Sequence, residues 1–309
     1  MSDHIIVTNK TENSISRFSN DFTTEEEYDT SLAPRCIAID SQGNIWVGNT
    51  GNVGSKTGDA NNAGEDKVTL HPVGDYGNIT KYDARSNVYG ICVDGNDNVW
   101  ATNNNDNTVS MFDASNSYER TIFYTVYANP YGIAVDSNNN IWIANNGSNN
   151  VTKLDASNLY YATRYSVGEK PRGIAVDSDN NIWVANHGGG SGNYYVSKLD
   201  ASSNYSETQY NVGSPSTGIC VDNNNNIWCV LEVTDEIAML DASDSYTQTN
   251  YNTIVLGDPF SICVDSNNNI WCGYLNATYV SMFDSNNSYN RIDYETIEET
   301  TGIAARYLL

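Results

Sequence analysis

The sequence predicts an all-β protein, a seven-bladed β-propeller of four-stranded antiparallel blades, and three observations carry that prediction. The phrase PRGIAVDSDNNIWV, from Pro171 to Val184, returns as PYGIAVDSNNNIWI from Pro130 and as PFSICVDSNNNIWC from Pro259. Variants follow Pro34, Val88 and Ser216. Each copy places one tryptophan, and Trp46, Trp100, Trp142, Trp183, Trp228 and Trp271 stand 54, 42, 41, 45 and 43 residues apart. Self-similarity of roughly 40–45 residues is the period of a propeller blade. Finally, the two ends of the chain hold complementary fragments of one further repeat.

Within a copy, a β-branched run such as Ile174–Val176 stops at Asp-Ser-Asp-Asn-Asn and resumes at Ile182–Val184. Asn and Asp tolerate left-handed backbone and form their own turns, so the pattern reads as a hairpin of first and second strands. A third run lies nine residues after the tryptophan in most copies, at Val109, Val151, Ile237 and Val280. It ends in a turn such as Leu154-Asp155-Ala156-Ser157-Asn158. A fourth run then carries a tyrosine, at Tyr82, Tyr124, Tyr165, Tyr210, Tyr251 and Tyr294.

The ends set the blade count. Thr301-Gly302-Ile303-Ala304 repeats a first strand with nothing after it, while Ile5–Asn9 repeats a second strand with Ile6 in the tryptophan slot. Ile15–Phe18 and Tyr28 then supply the third and fourth strands. Residues 1–309 therefore read as one domain, whose closing blade joins residues 1–33 to residues 300–309. Such closure pairs two sheet edges that would otherwise be free.

The chain has a formal net charge of -23 and 22 tyrosines. Most acids recur once or twice per repeat, which reads as charge spread over the surface. A field of that sign disfavours nucleic acid and anionic membrane as partners. No stretch approaches the ~20 apolar residues of a spanning helix, and no apolar core follows Met1. The six cysteines exchange with small apolar residues: Cys92, Cys220 and Cys263 with Ala134 and Ala175, Cys229 and Cys272 with Ile143 and Val184. They read as free buried thiols rather than a disulfide framework, and no pair has zinc-site spacing. The Asp-x-Asn-Asn-Asn turns lack the bidentate glutamate of a calcium loop and are read as turns. No cofactor and no metal are expected.

Two blades carry insertions between second and third strands: 22 residues separate Trp46 from Val68, and 13 separate Trp183 from Val196. Both fall on the face that also holds the entries to the first strands, the mouth of the ring.

The template G-I-A-V-D-x-x-x-N-I-W-V-A-N…N-x-V-x-K-L-D resembles NHL-repeat propellers and the seven-bladed propeller of the virginiamycin B lyases. That resemblance covers essentially the whole chain and implies the fold. For the lyases it would further imply a metal held by glutamate and histidine at the mouth. Here the position three after the tryptophan is Asn49, Asn103, Asn145 and Asn186, then Leu231 and Tyr274, with Asn9 in the closing blade. Asparagine cannot act as a general base and is a poor substitute for a carboxylate ligand. Of the three histidines, His4, His71 and His187, His187 alone falls on the mouth loops.

One set of positions does not repeat. Just before each first strand stand Arg35, Tyr89, Tyr131, Arg172, Thr217, Phe260 and Thr301. Aromatics and arginines at a rim are the composition of recognition sites. The expected ligand-binding residues are thus Arg35, Tyr89, Tyr131, Arg172 and Phe260, with Asn49, Asn103, Asn145, Asn186, His187 and Tyr274 beside them. The expected function is a non-catalytic binding or assembly module holding a protein segment or a glycan, in a cytoplasmic or virion-associated setting, including a phage virion or surface component. The alternative is a metal-dependent lyase or hydrolase. Oligomeric state is left open.

Overall fold

A computed structural model describes residues 4–9, 11–19, 24–51, 67–188, 192, 194–254, 257–296 and 300–306. These residues form seven four-stranded antiparallel sheets. Blade three shows the plan, with strands Pro130–Val135, Ile141–Asn145, Asn150–Asp155 and Tyr161–Ser166 in chain order from the centre outward. The first strands touch one another in sequence from blade one to blade six. The circle closes through Thr300–Arg306, which lies against both the blade-six first strand and Pro34–Ile39. In the closing blade, Ile5 pairs with Ala305 and Val7 with Ile303, so both chain ends share one sheet.

The core lies between blades rather than inside one. All six tryptophans are at most 1% exposed. At ~25 cal/mol per Å2, burying an indole is worth on the order of 5 kcal/mol as an upper bound. The indole N–H must then find an acceptor, and the turn supplies it. Asp136 Oδ2 accepts from Trp142 Nε1 at 2.9 Å and from Asn140 Nδ2 at 2.9 Å, while Oδ1 accepts from the backbone N of Asn138 and Asn140. The same clamp recurs at Asp40, Asp94, Asp177, Asp222 and Asp265. Every one of these carboxylates is ringed by N–H donors, so the turns are hydrogen-bond clamps and not cation loops.

Five of the tryptophans are also stapled across a blade boundary, by Tyr118, Tyr160, Tyr205, Tyr246 and Tyr289. Trp142 meets Tyr165 of its own fourth strand at 5.5 Å and Tyr205 of the next blade at 4.7 Å. Tyr118, Tyr160, Tyr205, Tyr246 and Tyr289 all hold positive φ in their turns, which aims their rings back at the preceding blade.

The repeated glycine of the first strand is explained by close approach. A Cβ on Gly132 would lie 2.3 Å from Arg172 O, and one on Gly90 would lie 2.4 Å from Tyr131 O. The slot is filled in two blades, by Cys36 and Ser261. There the register partner becomes glycine, Gly48 opposite Cys36 and Gly273 opposite Ser261, where blade four pairs Gly173 with Ala185.

The cysteines are free; Cys220, Cys229 and Cys272 are buried, and Cys36, Cys92 and Cys263 half-buried. Burial pushes the Cys229 and Cys272 thiols up to about 12, which holds them protonated. Among the described residues no helix is long and apolar enough to cross a membrane.

Charge departs from the even spread read from the sequence. Blade three, residues 130–170, sets Lys153, Arg164 and Lys170 against Asp136, Asp155 and Glu169 and is neutral. Blade five, residues 216–258, has acids from Asp222 to Asp258 and no lysine or arginine.

Candidate functional site at the mouth

The residue after each first-strand proline, or its equivalent, stands at the mouth because that strand enters from this face. Three of these side chains converge on a fourth, Arg35. Its guanidinium carbon lies 4.1 Å from the Tyr89 ring centroid, 5.2 Å from that of Tyr131 and 5.3 Å from that of Phe260. An Arg35 amino group donates to the Tyr131 hydroxyl. Tyr89 and Tyr131 meet edge to face at 4.8 Å. Blades one, two, three and six therefore build one cage, through the attraction of a cation to aromatic faces. Among the described residues no carboxylate pairs with Arg35, and its buried Nε has no hydrogen-bond partner.

Arg172 bridges to the other half of the mouth. Its guanidinium carbon lies 5.6 Å from the Tyr131 ring, and its Nη1 is 3.6 Å from Glu232 Oε2. The same carboxylate oxygen lies 2.6 Å from His187 Nε2. Glu232 is held below the usual carboxylate range, first by the His187 hydrogen bond, partly opposed by burial, and further by the charges of His187 and Arg172. The mouth thus has an aromatic half around Arg35 and a polar half in which Arg172 and His187 share one acid.

Thr217 and Thr301, which share the rim position, turn away. Thr217 Oγ1 donates to Phe260 O at 3.1 Å, and Thr301 Oγ1 donates to Pro34 O at 2.8 Å. Both tie one blade to the next.

Asn49, Asn103, Asn145, Asn186 and Tyr274 are not brought to the mouth surface; all are 0–1% exposed. Asn145 Nδ2 donates to Asn150 Oδ1 and Thr152 Oγ1, both at 2.9 Å, and Asn186 Nδ2 donates to Ser197 Oγ and Tyr195 O. Asn49 and Asn103 likewise donate to Thr69 and Ser110. Tyr274 donates to Ser281 Oγ at 2.7 Å. In these blades the slot clamps the second strand to the third, whereas in blade five Leu231 fills it as part of the apolar core. The insertion at 52–66 and residues 189–191 and 193 lie outside the described residues.

Glu232 is the residue that sequence reasoning passed over. A signal existed: the position four after each tryptophan reads Thr50, Asn104, Asn146, His187, Glu232 and Leu275, a second set that does not repeat. Asn104 and Asn146 donate to the Pro130 and Pro171 carbonyls of the next blade, a structural role that His187 and Glu232 abandon.

The donor set does not fit a metal centre. His187 and Glu232 bond to each other beside the Arg172 cation, and among the described residues no three His, Cys, Asp or Glu side chains converge.

Comparison with known proteins agrees with this architecture. Residues 30–51 match the family description "two component regulator propeller". A virginiamycin B lyase from Staphylococcus aureus is similar at 18% identity and TM-score 0.71, over 86% of this chain and 85% of that one. A functionally unknown protein from Desulfotomaculum acetoxidans is similar at 16% identity and TM-score 0.77, over 98% and 99%. Hydrazine synthase of Kuenenia stuttgartiensis is similar at 14% identity and TM-score 0.70, over 87% and 88%. A comparison of the sequence with curated proteins finds no match. The chain thus resembles the seven-bladed propeller superfamily, and neighbours at such identities share its fold while differing in function.

Proposed function

We propose that this protein is a non-catalytic recognition module that holds a protein segment at the mouth, through a carboxylate set beside a planar ring. One observation supports this above the rest. In a chain of net charge -23, the Arg35 guanidinium is caged by Tyr89, Tyr131 and Phe260 with no acid paired to it among the described residues. An arginine held rigid by stacking loses little freedom on binding and presents a fork matched to a carboxylate. Tyr89 and Phe260 add flat apolar area. Arg172 and His187 form the far wall, with their shared acid Glu232 setting which anionic groups are accepted.

A second reading, a hydrolase or lyase, draws on the His187–Glu232 pair, since a carboxylate-oriented histidine is the arrangement of a general base. The described residues supply it with neither a nucleophile nor a second acid–base group, so the binding reading is preferred.

The test screens peptides ending in an aromatic residue and a free carboxylate against acidic oligosaccharides, followed by the variant Arg35→Ala, Arg172→Ala. Loss of a desolvated charge pair should weaken peptide binding by about 2–5 kcal/mol. Melting temperature should hold, since rim substitutions cost little. Binding of the sugars alone would replace the segment with a glycan. Unchanged affinity at unchanged melting temperature would move the site off this face.

A further inference from the structure

Blade three departs from the repeat at its outer edge, and the departure is apolar. Leu159 is 93% exposed and Tyr161 67% exposed. Leu159 occupies the left-handed position that closes the turn, at φ 51°, where the other blades place Ser117, Asn204, Ser245 and Ser288. A serine or asparagine suits that backbone and that exposure, and a leucine suits neither. Tyr161 likewise stands where Glu119, Ser206, Thr247 and Asn290 stand. At the other end of the same strand, Arg164 lies 5.3 Å from the ring of Tyr127, itself 41% exposed.

The strand that links these groups, Tyr161–Ser166, is the outermost of its sheet and reads YATRYS, without an acid. Sheet edges are ordinarily guarded by charge. The outer strand of the closing blade reads EEEYD, and those of blades two, four and six carry Glu119, Glu207 and Asp293. Blade five likewise has no acid on that strand, but the blade behind it is wholly acidic.

We infer that this edge is a docking surface for a second copy of the chain, joined antiparallel across a two-fold axis. Two facts on the molecule select a copy of itself as the occupant. Blade three is neutral, so two copies meet there without the repulsion that any acidic side would impose. The acid-rich blade six and closing blade lie across the ring from it and are carried far apart. The edge is also self-complementary. An antiparallel pairing sets the Leu159–Tyr161 end of each strand beside the Arg164–Tyr127 end of the other, the reciprocal contact a two-fold interface requires. Main-chain bonding would fuse two blades into one eight-stranded sheet. The two mouths then open in opposite directions.

The experiment is sedimentation equilibrium of the full chain, against the variant Leu159→Asn, Tyr161→Ser, which installs the residues of blade four. Wild type should show a concentration-dependent dimer at micromolar concentrations. The variant should dissociate it by roughly tenfold or more in Kd while melting at the same temperature or higher. A wild type that stays monomeric overturns the proposal, and capture of a different protein by the edge would replace it. A dimer that the variant leaves equally tight also overturns it, by placing the contact elsewhere.

Discussion

The two faces of this ring are built from the same strands and follow opposite rules. On the turn face, blade after blade repeats one hydrogen-bond clamp between aspartate and tryptophan. Neighbouring turns are also linked: Ser41 to Asp97, Gly95 to Asn139, Ser137 to Asn180, Ser178 to Asn225 and Asn223 to Asn268. On the mouth face the backbone repeats, but the side chains at two positions per blade do not. The difference teaches where selection for stability ends. A side chain that serves its own blade is interchangeable with its copies. One that faces a shared centre meets six different neighbours and has no reason to match them.

The largest predicted effect breaks the ring at its closure. Blade six bonds to the closing blade at the mouth, where Thr300 Oγ1 accepts from Tyr274 N, and Thr301 carries the link on to Pro34. Among the described residues, the linked turns join blade one through to blade six. Deleting residues 302–309 removes the innermost closing strand and exposes two edges. Thermal melting should fall by more than about 10 °C; a truncated chain within about 2 °C of wild type would show that closure contributes nothing.

Next comes the clamp itself. Asp136→Ala strips the acceptor from a buried indole N–H and from two backbone amides, and should cost about 3–5 kcal/mol by denaturant unfolding. The same change at the half-exposed rim residue Tyr89 should cost far less. Equal losses would erase the distinction between the faces.

A third prediction uses a buried histidine near the turn face. His71 sits where Leu154, Leu199 and Leu240 stand, bonded through Nδ1 to Tyr76 O at 2.9 Å. Burial lowers its pKa from 6.5 to about 4, a cost only partly relieved by the Tyr76 carbonyl. The folded state holds it neutral, so its contribution is complete above pH 6.5 and is lost as pH falls from 6.5 towards 4. Stability should drop by on the order of 3 kcal/mol across that window in wild type. The variant His71→Leu should drop less, and parallel pH profiles would remove His71 from the account.

The smallest effect probes the paired glycines. Gly48→Ala places a Cβ 2.4 Å from Cys36 Sγ and 2.5 Å from Val88 Cγ1, and should cost about 1–3 kcal/mol through overpacking. Adding Cys36→Gly restores the pairing of the other blades and should recover part of the loss, leaving the Val88 contact. No recovery would mean that Cys36 and Gly48 are uncoupled.

The strands, the blade count and the closure were legible in the sequence because each is written in local periodicity that recurs. Trp142 and Tyr165 could be assigned from spacing alone. Tyr205 could not, because its role is to reach back across a blade boundary from a left-handed turn. The same limit governs the site. Arg35, Tyr89, Tyr131 and Phe260 stood out as failures of the repeat, and the fold collects them. Asn145 and Asn186 repeated faithfully, which was already the mark of a clamp. Glu232 escaped notice because it acts on His187, 45 residues away and on another blade, and spacing within one repeat cannot report a contact between two.

The aspartate clamp makes the protein its own optical gauge. Trp46, Trp100, Trp142, Trp183 and Trp228 each bond to a carboxylate and lie between two tyrosine rings at 4.6–5.6 Å. These indoles therefore share one solvent-free setting and behave as copies of a single chromophore. Each drains excitation from donors on two adjacent blades. Parting one blade from the next would separate one tyrosine from its indole and leave the other in place. Emission excited through tyrosine would then register a single opened seam while the rest of the ring stays folded.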